Sequence, residues 1–82
     1  MFKFYFTFGS EGQDFVGGWT EIIAPDFEAA YRLFEALHPT QEGCGLACGG
    51  FYTEEQFKKT SMSKNGNFGH FCHERVTVEV FK

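Results

Sequence analysis

Phe2-Lys3-Phe4-Tyr5-Phe6-Thr7-Phe8 alternates without a break, placing an aromatic ring at every second position. Successive side chains of a strand point to opposite faces, so this period of two predicts a half-buried β-strand with four Phe on one face and Lys3, Tyr5 and Thr7 on the other. The chain has 82 residues. That length holds one hydrophobic core, so residues 1–82 are expected to form a single domain. A domain this short buries only about 60% of its unfolded surface, so its stability must lean on something beyond an ordinary core. Twelve Phe, three Tyr and one Trp are one supplement; a bound metal would be another.

After the polar turn at Gly9–Asp14, Phe15–Ala24 reads as a second strand, antiparallel to the first because the connection is short. Gly17-Gly18 within it suggests a bulge or a close approach of another backbone. Trp19, Glu21 and Ile23 share one face of this strand, and Thr20, Ile22 and Ala24 the other. Asp26 is placed to cap a helix whose apolar stripe is Phe27, Ala30, Tyr31, Phe34 and Leu37, with Pro39 stopping it after His38. Leu46–Tyr52 is expected to be a third strand. Thr53-Glu54-Glu55-Gln56 is a capping box that starts a short helix to about Thr60. Ser61–Gly69 reads as a loop and Glu74–Phe81 as the last strand. The expected fold class is α+β: a single, mostly antiparallel four-stranded sheet packed by one main helix. Its order is strand, strand, helix, strand, short helix, strand.

The formal net charge of −4 is unevenly spread. Residues 1–57 carry nine acids against Lys3 and Arg32, whereas residues 58–82 carry five bases against Glu74 and Glu79. An acidic surface gains nothing by releasing phosphate counterions, so direct nucleic-acid binding is not expected, and a basic protein surface is the better partner. The simpler reading of the acids is a solvated face that keeps the chain soluble. No apolar run of about 18 residues and no charged-then-apolar leader is visible, so a soluble, unprocessed chain is expected, without membrane contact. Three cysteines make an odd number, which argues against a disulfide framework and for thiols that are free or metal-bound.

Two of those thiols lie in Gly43-Cys44-Gly45-Leu46-Ala47-Cys48-Gly49-Gly50, and the third in Gly69-His70-Phe71-Cys72-His73-Glu74. Cys44, Cys48, Cys72 and His73 offer three thiolates and an imidazole, a donor set suited to tetrahedral zinc in a structural site. His70 and His38 are alternatives for the fourth ligand, His38 lying six residues before Cys44. The plainer alternative is that the thiols pack as small hydrophobes. A third reading, Cys72 as a nucleophile beside His70 and His73, lacks any marked oxyanion hole, and Glu74 reads as a surface acid.

Seven short motifs occur together in order: Phe-Thr-Phe-Gly (6–9), Gly-Gly-Trp-Thr-Glu (17–21), Phe-Glu-Ala-Leu-His-Pro (34–39), Glu-Gly-Cys (42–44), Tyr-Thr-Glu-Glu-Gln-Phe (52–57), Gly-Asn-Phe-Gly (66–69) and Cys-His-Glu (72–74). In this the chain resembles small proteins encoded by phages, prophages and other mobile elements of Firmicutes, and is similar to zinc-containing anti-CRISPR proteins that block Cas9. The resemblance implies stoichiometric inhibition of Cas9 in the bacterial cytoplasm without chemistry of the chain's own. It implies structural zinc on Cys44, Cys48, Cys72 and His73, with His38 as a substitute. The alternative expectation is a zinc-stabilised adaptor of a mobile element, acting on another host protein.

Overall fold

The computed structural model describes residues 1–9, 15–39 and 48–78. Strand β1 (Phe2–Thr7) pairs antiparallel with β2 (Trp19–Ala24) on one side and with β3 (Gly50–Thr53) on the other. Strand β4 (Cys72–Thr77) lies against the far side of β2 and runs parallel to it, giving the sheet order β3-β1-β2-β4. The architecture is α+β, as the periodicities require, but the sheet is mixed. Helix α1 (Phe27–Leu37), β3, and the short helices α2 (Glu54–Lys58) and α3 (Met62–Asn65) all intervene between β2 and β4. That is ample chain for the crossover that a parallel pair needs.

Helix α1 begins where Asp26 accepts a hydrogen bond from the Ala29 amide at 2.8 Å. It lays Ala30 and Phe34 on the face of the sheet formed by Phe4, Phe6, Phe8, Ile22 and Ala24. Phe6 stacks on Phe34 with ring centroids 4.4 Å apart. The expected stripe shifts in detail: Ala29 and Leu33 join the core's edge, whereas Phe27 and Leu37 are exposed. Phe2 is exposed too, so three of the four alternating Phe are core.

The sheet's other face is also covered. Tyr5, Trp19 and Phe57 form a second buried cluster, with Tyr52 and Met62 packed against it. The Tyr5 and Phe57 rings are stacked at 4.1 Å with 3° between their planes. The fold is therefore three-layered, α1 over the sheet and α2–α3 under it, where the sequence suggested one helical layer. Thr53 caps α2 with the reciprocal Thr53–Gln56 hydrogen bonds expected of a capping box, and this fixes the chain direction that turns Phe57 inward.

Several boundaries move for local reasons. Strand β2 starts at Trp19 because Gly17 and Gly18 have φ of +82° and +72°, which no strand interior accepts. A Cβ on Gly17 would stand 2.6 Å from the Asn67 carbonyl oxygen, and one on Gly18 2.5 Å from that of Phe71. Another backbone thus comes close at both glycines, one of the two expectations for this pair. Met62–Asn65 forms a helical turn where a loop was expected, ended by Gly66 at φ +81°. Residues 79–81 of the expected final strand lie outside the described residues, as does the 46–47 start of the expected third strand.

Phe57 is buried on the face that the sequence left open, so its removal tests the second layer. Phe57→Ala is expected to lower unfolding stability by about 3 kcal/mol, measured by urea titration with unchanged slope. A loss below about 0.5 kcal/mol, ordinary for a surface site, would show that α2 does not seal this face.

Candidate functional site

The best-formed polar cluster lies where the C-terminal end of α1 meets β4. His38, the C-cap of α1, is buried between the rings of Phe8, Phe15 and Phe34, whose centroids stand 5.4, 5.6 and 4.9 Å from its own. Its Nε2 donates to Glu74 Oε1 at 2.5 Å. The same carboxylate oxygen accepts from the hydroxyl of Thr20, fully buried on β2, at 2.8 Å. Glu74 thus ties α1, β2 and β4 together. Burial would by itself raise its pKa; the hydrogen bonds from His38 and Thr20, with the charges of His38 and His73, outweigh that and hold it below the usual carboxylate value.

His73 is the next residue back along β4. The register of β4 on β2 slips between Trp19 and Thr20, so Cys72 opposes Trp19 and Glu74 opposes Thr20, leaving His73 as the extra residue of a bulge. The His73 ring stacks on Phe15 at 4.5 Å, and its Nε2 donates to the Gly17 carbonyl at 2.8 Å. With Nε2 protonated, a metal would have to take Nδ1. His70 lies near it, ring centroid to ring centroid 6.0 Å.

The cysteines are arranged differently. Cys72 pairs with Trp19 and so shares the α2–α3 face. It is exposed, and its thiol donates to the Glu74 carbonyl at 3.0 Å. Burial and the nearby Glu21 carboxylate push its pKa up, the reverse of what a nucleophile needs. Cys48 packs against the core on the α1 side, just before β3. Burial raises its pKa as well, against a smaller opposing effect of a hydrogen bond from the Gly50 backbone. Cys48 lies two residues before β3, one outer strand of the sheet, and Cys72 opens β4, the other outer strand. Cys44 lies outside the described residues. Among the described residues no group of three or more His, Cys, Asp or Glu side chains is placed to hold a metal ion. What the structure does bring together is His38, His73 and Glu74, two of the candidate ligands and the acid that the sequence consigned to the surface.

A second polar cluster sits under α2. Glu21 is buried, its carboxylate bonded to Arg75 and to the Tyr5 hydroxyl. Burial, then the charge of Glu21, raises the Tyr5 pKa far above its usual value, so the phenol stays protonated and donates. Among the described residues no buried side-chain polar atom is left without a hydrogen-bond partner. Two clefts among the described residues lie elsewhere, one beside Lys3, Ile23 and Glu54, the other beside Ala29, Arg32 and Val78. Thr20 carried a signal that could have been used: a polar residue in register with apolar Ile22 and Ala24 needs a buried partner, and Glu74 is that partner.

Because the folded pKa of Glu74 is depressed, its contribution to stability is present above the unfolded value near 4.5 and is lost as pH falls through the folded one. Acid unfolding followed by circular dichroism below about pH 5 is expected to be less steep in Glu74→Gln than in the parent. An identical acid limb in both would show that Glu74 is not held this way. Comparison with protein-family models, with curated proteins and with solved structures finds no match for this chain.

Proposed function

We propose that this protein is a stoichiometric binding protein that inhibits a Cas9-type effector in the bacterial cytoplasm. The observation that carries the binding part of this reading is the distribution of side chains at one end of the sheet. There the polar groups of His38, Thr20 and Glu74 are bonded to one another and His73 is bonded to the Gly17 carbonyl, while Val16, Phe68 and Phe71 are exposed. Clustered apolar groups on a small protein mark contact surfaces, and the net charge of −4 suits a basic partner. The choice of Cas9 rests on the ordered motifs of the sequence. No described helix is long and apolar enough to cross a membrane.

Zinc belongs to the proposal through the sequence clustering of Cys44, Cys48, Cys72, His38 and His73. Its test is elemental analysis of the purified protein together with native mass before and after chelation. About one zinc per chain is expected on this reading; no metal would leave Cys48 as a packed thiol and the fold complete without it.

In a DNA-cleavage assay, Cas9 preincubated with the protein at about tenfold molar excess is expected to lose most of its activity, with a titration endpoint near equimolar. Undiminished cleavage by several Cas9 orthologues would turn the reading toward an adaptor acting on a different host protein.

A further inference from the structure

Phe68 occupies a position that its residue type does not favour. Asn67 and His70 exchange both backbone hydrogen bonds, at 2.8 and 3.0 Å, around a two-residue turn. Its central residues, Phe68 and Gly69, have φ of +51° and +79°. Two positive φ values in a two-residue hairpin define a type I′ turn, whose first central position takes Asn, Asp or Gly. Phe68 is the one non-glycine with positive φ among the described residues. The core does not reward the strain, because 69% of the Phe68 surface remains exposed.

The turn is nonetheless held firmly. The Asn67 side-chain amide donates to the Phe8 and Gly18 carbonyls at 2.8 and 2.9 Å, and the Gly18 amide donates to the Asn67 carbonyl at 2.9 Å. Gly9 leaves space beneath the ring, since a Cβ there would come within 3.2 Å of Phe68 Cε2. A strained, exposed aromatic on a rigid base is the form of a recognition element, where strain is retained because folding is not what the residue serves.

We infer that Phe68 is the anchor by which this protein docks on its partner, its ring entering an apolar pocket on that partner's surface. The inference rests on the binding reading above and names the contact residue. A two-residue turn tip is convex, so what covers it must be concave. Of its exposed neighbours at this end of the sheet, Val16 and Phe71 are apolar and His70, which closes the turn, is polar, so the pocket is apolar with a polar rim. A second copy of the chain fits poorly. Of the described clefts, the one lined by Phe2, Lys3 and Phe4 lies at the start of β1, whereas Phe68 stands over Gly9, beyond the other end of that strand, and the one beside Asp26, Arg32 and Val78 is lined by charged side chains. A knob at one end and a cleft at the other pair head to tail, which gives rings or open filaments instead of a monomer. Stacking on nucleobases would need a basic groove around the ring, and the exposed flanks Val16 and Phe71 are apolar instead.

The test is Phe68→Asn, which supplies the residue that the turn prefers, with Phe2→Asn as a control at the opposite end. Thermal unfolding, native mass, Cas9 inhibition and a mobility shift on the DNA substrate alone are measured for each and for the parent. For Phe68→Asn we expect a melting temperature equal to the parent's or a few degrees higher, a monomer mass, and inhibition weakened by at least about tenfold. Phe2→Asn is expected to inhibit as the parent does. A lower melting temperature in Phe68→Asn would make Phe68 a structural residue and overturn the inference. Undiminished inhibition by Phe68→Asn would overturn it while leaving the inhibitor reading intact. A parent that does not inhibit removes that reading and the inference with it. Parent self-association, or a parent DNA shift, that disappears in Phe68→Asn assigns the ring to a second copy or to nucleic acid and overturns the proposal.

Discussion

Strand β1 is sealed on both faces at once, and the other elements are arranged around that fact. Phe4, Phe6 and Phe8 face α1, while Tyr5 and Thr7 face the layer of α2 and α3. β1 also has a strand on each side, so its backbone groups are satisfied by β2 and β3. An 82-residue chain has too little interior for one generous core. Placing one aromatic-rich strand at the centre lets the same backbone serve two smaller cores. Ring-on-ring contacts above it, Phe6 with Phe34, and below it, Tyr5 with Phe57, then fix how each helical layer sits.

The end of the sheet beyond β1 depends on close backbone approach. Gly17 and Gly18 admit the Asn67 and Phe71 carbonyls, and the Asn67 side chain reaches two further carbonyls across the same gap. Those hydrogen bonds set where β4 begins and which of its residues face α1. The bulge at His73 follows, and with it the meeting of Glu74, Thr20 and His38. The polar cluster is therefore a product of the sheet's irregular end. The same irregular end raises Phe68 clear of the surface.

The candidate site divides by how local its determinants are. The motif-level expectation joined Cys48 to Cys72 and His73 because they share a chemistry, but chemistry does not place them. Order in the sheet does: Cys72 and His73 lie on β4, and Cys48 lies two residues before β3 at the other side of the sheet. Glu74 shows the converse. Nothing adjacent in sequence announces a buried partner; the partner is a histidine 36 residues earlier and a hydroxyl 54 residues earlier.

What the sequence by itself determined is whatever arises within about ten residues. The strand alternation of β1, the Asp26 cap and the helix of α1, and the Thr53 capping box read correctly, while the stripe of α1 held only at Ala30 and Phe34, because period and capping depend on neighbours along the chain and the exact buried face does not. The tertiary structure alone decided the parallel docking of β4, the burial of Tyr5, Trp19 and Glu21 under a second layer, and the convergence of His38, Thr20 and Glu74. Each of these is fixed by which strand lies beside which. That choice is settled by packing two aromatic faces at once, and no short stretch of the chain encodes it.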